Sequence, residues 1–213
     1  MTRERQRVQR EYKRLIEKEQ LRPAAKRYGF KTVSGFVYRM EDGWLFTVSL
    51  TATYEKLRVS LSVKPLVIDT LFWEIFGMLE TAQRQPQSFH VKAAFVPYDL
   101  CLDTWSIPLT GTERAGEVLE QALSDSLSNI LLFRETAFTL EDYRALEAQQ
   151  PHPHRLNMLL CDIAAGRFSQ AIAETEEELA AGHSGGFADE GGDIYDYILR
   201  YCRQQIEKGT TTC

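Results

Sequence analysis

The residue types best able to do chemistry gather in the last third of the chain. His152-Pro153-His154 sets two imidazoles two residues apart, the spacing closest to a metal site. Zinc takes about four ligands, and neither a cysteine nor a carboxylate adjoins this pair. The proline between them favours an extended linker, so a connecting loop without metal is expected. Gly182-His183-Ser184-Gly185-Gly186 places a serine beside a histidine. Nucleophilic catalysis needs a base oriented onto the hydroxyl and a third group behind that base. A glycine-rich connection between helices holds such geometry poorly, and it lacks the strand–turn–helix setting of a nucleophile elbow. It also lacks the lysine and the preceding strand of a phosphate-binding loop. Asp189, Glu190 and Asp193 follow, off the spacing of a calcium loop. The segment reads as a mobile acidic loop suited to a partner.

Glu174, Glu176, Glu177 and Glu178 form a dense acidic patch. Paired carboxylates do acid–base work only where burial shifts a pKa, and adjacent helical residues fan around the axis, so a solvated face is expected. With Asp189 and Glu190, these four glutamates are the expected contact for a basic protein partner. No residue is assigned a catalytic, cofactor-binding or metal-binding role, and no cofactor is expected. Charge is unevenly spread along a chain of net charge −5. Residues 1–31 hold eleven Lys/Arg against four Glu, whereas Ser169 to Leu199 holds eight acids and no Lys or Arg. The basic segment suits phosphates, with salt-dependent affinity. Four glutamates interrupt it, however, and nucleic-acid binding is the lesser alternative. An enzyme with an unrecognised small-molecule pocket is another.

The elements that must position these residues change period along the chain. Val8, Tyr12, Leu15 and Ile16 make the apolar stripe of a helix over residues 2–20. Pro23 fits a break or the first turn of a short second helix that ends at Gly29. From Phe30 the period changes to two, with Phe36, Tyr38 and Met40 alternating with Val37 and Arg39. Glu41-Asp42-Gly43 predicts a hairpin turn between a strand to Met40 and one in which Trp44, Phe46, Val48, Leu50 and Ala52 share a face. The hydroxyl-rich opposite face is expected to meet water. Leu57, Val59, Leu61 and Val63 alternate in a third strand. Pro65 suits the start of a helix reaching about Thr81. Phe89, Val91, Ala93 and Phe95 alternate as a strand, and another is expected near Leu100–Ile107.

Helices fill the rest: one through Leu119 and Leu131, one capped by Thr139 with Asp142 at its third position, one ending near Gly166, one capped by Ser169, and one capped by Asp193. The expected fold is α+β, a mainly antiparallel sheet of four to five strands with helices on one face. Residues 151–213 form a helical C-terminal region packed on a domain of residues 1–150, with Gln149–His154 as the boundary.

The chain is 44% hydrophobic and 26% charged, ordinary for a globular protein. Its longest uncharged run, Gly43–Tyr54, falls short of the ~20 apolar residues of a membrane span. Met1-Thr2-Arg3-Glu4-Arg5 is no secretory signal, so a cytoplasmic location is expected. Cys101, Cys161, Cys202 and Cys213 are dispersed, as core hydrophobes or a tail residue would be.

A helix followed by Tyr28-Gly29-Phe30-Lys31, then Gly35-Phe36-Val37-Tyr38-Arg39 and two alternating strands, resembles small bacterial proteins of unknown function, several of them similar to immunity or toxin-neutralising proteins. Ile163-Ala164-Ala165-Gly166-Arg167-Phe168, Gly185-Gly186-Phe187 and a tyrosine-rich last helix extend the likeness. The resemblance implies a protein partner and carries over no catalytic residue.

Overall fold

The structure, a computed structural model, describes residues 2–92 and 96–210. It is α+β, and the chain divides into two compact units: residues 1–64 with 99–138, and residues 65–98 with 139–213.

The first unit opens with a helical run of α1 (Arg3–Lys13), a π-helical segment (Arg14–Gln20) and α2 (Leu21–Arg27). Tyr12, Ile16, Leu21, Ala24 and Ala25 are its buried residues. Ile16 and Leu21 are five apart, a spacing that puts residues on different sides of an α-helix. The wider π turn brings them together, with the Leu21 N–H donating to the Ile16 carbonyl. Pro23 sits inside the first turn of α2, and the widened turn before it eases the proline's clash with the carbonyl four residues back.

Strands β1 (Lys31–Val33), β2 (Phe36–Glu41), β3 (Trp44–Ala52), β4 (Lys56–Pro65) and β5 (Leu100–Pro108) form an antiparallel sheet in chain order. Asp42 and Gly43 both take positive φ, 50° and 82°, as the tight β2–β3 hairpin requires. Leu57, Val59, Leu61 and Val63 are buried, as the alternation predicts. The expected wet face of β3 is dry at its start: Leu45 and Thr47 are buried, Ser49 is half-buried, and only Thr51 is exposed. Helix α5 (Ala115–Glu135) buries Leu119, Ala122, Leu123 and Ile130. Near its end, Phe133 meets Trp44 and Phe46 edge-on at ring distances of 5.7 and 5.3 Å, and Arg134 pairs with Asp42 at 2.8 Å.

In the second unit, α3 (Leu66–Ile75) stops earlier than the apolar pattern suggests. Gly77, at φ 73°, ends it, and a short α4 (Leu79–Gln83) follows. The strand expected at 89–95 is absent from its described part: Gln87–His90 is a 3-10 turn, and Ala93 and Phe95 lie outside the described residues. The alternating side chains there serve tertiary contacts instead. Phe89 packs on Trp73 at 5.1 Å, and the His90 imidazole lies 2.6 Å from the Asp69 carboxylate. Helix α6 (Leu140–Ala148) starts on the predicted Thr139/Asp142 capping box. Helices α7 (Arg155–Ala164) and α8 (Phe168–Ala180) form a hairpin, with Arg167 rather than Ser169 preceding α8. Helix α9 (Ile194–Thr210) ends the chain's described part.

Between α8 and α9, β6 (Ala188–Asp189) and β7 (Gly192–Asp193) make a minimal hairpin. The Asp193 carboxylate accepts from the backbone of Tyr195 at 3.0 Å, the backbone of Gly185 at 2.9 Å and the hydroxyl of Ser184 at 2.6 Å. Phe187 is buried, with its ring 4.9 Å from that of Phe72. The glycine-rich loop, read from the sequence as mobile, is thus tied at its base and middle. No helix among the described residues is long and apolar enough to cross a membrane.

Candidate functional site

The four clustered glutamates do not all fan apart. Glu174, Glu177 and Glu178 stand at i, i+3 and i+4, which places them on one face of α8. Together they wall a cleft of about 410 Å³. Glu176 points elsewhere and pairs with Arg203 of α9 at 2.8 Å. The opposite wall of the cleft carries Arg144 from α6 and Arg155 from α7, and Ala148, Met158 and Leu159 supply its apolar side.

Asp162 sets the geometry of this site. Its side chain is fully buried near the end of α7. It accepts from Arg144 at 2.8 Å and from Arg167, in the α7–α8 turn, at 2.7 Å. The Arg167 backbone N–H also donates to the Asp162 carbonyl at 2.8 Å. One carboxylate therefore pins α6, α7 and α8 together. Arg144, held from behind, reaches forward to Glu174 at 2.9 Å. Hydrogen bonding to Asp162 raises the Arg144 pKa, against a smaller opposing effect of burial. Arg167 is raised first by Glu141 and then by Asp162. Arg155 is more than half exposed and meets Glu178 at 3.3 Å. Glu178 also receives His183 at 2.8 Å.

The remaining expected site residues are scattered. Asp189 accepts from the Tyr197 hydroxyl at 2.8 Å and the Gly191 backbone at 2.7 Å. Glu190 is exposed at the tip of the β6–β7 hairpin. His183 and Ser184 are directed to different carboxylates, Glu178 and Asp193. Of the two histidines flanking Pro153, His152 is exposed, whereas His154 precedes α7 and lies 2.8 Å from Glu147. That carboxylate, seven residues back, is fully buried and also accepts the His154 backbone N–H at 2.7 Å. Tyr98 stacks over the His154 ring at 4.6 Å. Among the described residues, no group of three or more His, Cys, Asp or Glu could hold a metal ion.

Sequence reasoning missed Arg144, Arg155 and Asp162. The signal open to it was the i, i+3, i+4 spacing of the glutamates, which marks a shared face.

Four groups of this unit are held neutral by burial. The Cys161 and Cys202 thiols are pushed up to about 12 and about 11, and the Tyr195 and Tyr201 hydroxyls to about 12. Each folded-state pKa is raised, so each contribution to stability is present below the unfolded pKa and is lost as pH rises toward the folded one. Thermal unfolding followed from pH 8 to 11 should show the midpoint falling progressively above about pH 9. Tyr195→Phe, which has no proton to lose there, should flatten that fall. A midpoint as high at pH 11 as at pH 8 would contradict this account.

No protein-family model, no curated protein and no solved structure matches the chain.

Proposed function

We propose that the protein is a non-catalytic binding module that holds a basic protein partner through α8 and the cleft it walls. The observation that carries this reading is the convergence of Glu174, Glu177 and Glu178 on one cleft of about 410 Å³. They do so in a unit of sixteen Asp/Glu against eight Lys/Arg, a net charge of −8, while the other unit, with fourteen against seventeen, carries +3. A field of one sign steers an oppositely charged partner and favours its register. The chain's own cations offset part of the acidic face, since Arg144, Arg203 and Arg155 engage Glu174, Glu176 and Glu178. Among the described residues, Glu177 and Glu190 form no such pair, and they are the carboxylates most available to a partner.

Immobilised protein incubated with lysate is expected to retain a basic protein at about 0.1 M salt and release most of it at about 1 M, where charges are screened beyond ~3 Å. Glu177→Gln/Glu190→Gln should lower retention roughly fivefold without disturbing any ion pair. Retention that is insensitive to both salt and the double substitution, or a retained protein that is itself acidic, would overturn the reading.

A further inference from the structure

We infer that the α6–α8 cleft takes one arginine or lysine side chain from the partner, and that Arg155 is a built-in stand-in which the incoming cation displaces. The inference rests on the binding-module reading above and names the group recognised.

The chemistry of the cleft fits an alkyl chain that ends in a positive charge. Ala148 offers an exposed apolar surface to the stem, with Met158 and Leu159 almost wholly buried beside it, and Glu174, Glu177 and Glu178 offer carboxylates to the head. Long cationic side chains bury their methylenes and keep the charged tip among polar groups. Charge around the cleft leans negative. Arg144 is already matched by the buried Asp162 and by Glu174, and Arg155 by Glu178, which leaves Glu177 in excess.

Arg155 is the weak member of this set. It is the first residue of α7, where the positive end of a helix dipole disfavours a cation. Its contact with Glu178 is 3.3 Å, whereas those of Arg144 are 2.8 and 2.9 Å, and 55% of its side chain is exposed. An exposed ion pair of this kind is easily exchanged. Displacing it leaves Glu178, which His183 still meets at 2.8 Å, beside Glu177, so that two carboxylates face the incoming group. Arg144, pinned from behind by Asp162, stays in place and keeps the wall ordered.

The test follows the Met158 methyl signal in protein labelled at its methionine methyls. N-acetyl-L-arginine amide and N-acetyl-L-lysine amide are titrated against the uncharged N-acetyl-L-norleucine amide and against putrescine. The two cationic amides should shift the signal saturably, and the norleucine amide should bind at least about tenfold more weakly. Arg155→Gln should tighten the arginine amide about threefold, whereas Glu177→Gln should weaken it about fivefold. Both changes lie on the surface, and unchanged unfolding midpoints would verify that the variants remain folded. Equal binding of the norleucine amide, weaker or unaltered binding by Arg155→Gln, or the absence of a saturable shift would overturn the inference. Putrescine binding tenfold tighter than either amide would assign the cleft to a free polyamine and remove the partner's side chain from it. Silent probes beside a captured basic partner would sink the cleft alone, while binding probes without any captured partner would sink the module reading.

Discussion

Asp162→Ala should destabilise the second unit by about 2–3 kcal/mol in urea unfolding followed by Trp73 fluorescence and circular dichroism. Removing one partner of a buried ion pair costs ~3–5 kcal/mol. The loss is smaller here because Arg144 and Arg167 keep 22% and 32% of their side chains exposed and recover some hydration. Asp162→Asn preserves the volume and one acceptor but loses the charge, so it should fall between alanine and wild type. The same substitutions should loosen the wall of the cleft, because Arg144 would be held by Glu174 alone of its two carboxylates. A loss below ~0.5 kcal/mol, typical of an exposed pair, would show that Asp162 is no pin.

Phe72→Ala should cost more, about 3–5 kcal/mol, the usual range for emptying a fully buried aromatic site. Phe72 has no exposed surface and lies at the centre of a ring cluster. It stacks on Phe76 at 5.7 Å, meets Trp73 edge-on at 5.5 Å and meets Phe187 at 4.9 Å. The last contact leads to a second, local effect. Phe187 is the anchor of the glycine-rich loop, so the alanine variant should be nicked by a nonspecific protease within residues 182–192 faster than wild type. Equal stability with equal resistance would mean that the loop is held elsewhere.

The sheet was legible because its strands alternate cleanly. Residues 44–52 and 57–63 each carry apolar side chains at every second position, and the Asp42-Gly43 turn fixes the register between β2 and β3. Two helix starts were legible for an equally local reason. Thr139 with Asp142, and Asp193 with the Tyr195 N–H, satisfy backbone donors within a few residues of themselves. Phe89 and His90 were misread as strand because alternation cannot tell a pleated strand from a turn whose side chains are claimed by distant groups, here Trp73 and Asp69.

The candidate site was half legible. The glutamates of α8 stand out by composition, but their counter-charges come from other helices. Arg144 is thirty residues from Glu174, and a charged residue as buried as Asp162 reads in sequence like any solvated aspartate. Glu147 was hidden in the same way, and with it the reason His154 is oriented rather than loose.

The π-helical segment bears on how the chain could change length. Strand pairing tolerates no single-residue slip without turning its faces over. The stretch between Ile16 and Leu21 is different, because its extra residue is stored as a widened turn. A chain one residue shorter there would space those two side chains by four and carry the same buried stripe on a regular α-helix. The N-terminal helical run is therefore a place where this fold can absorb a deletion without moving the residues on either side.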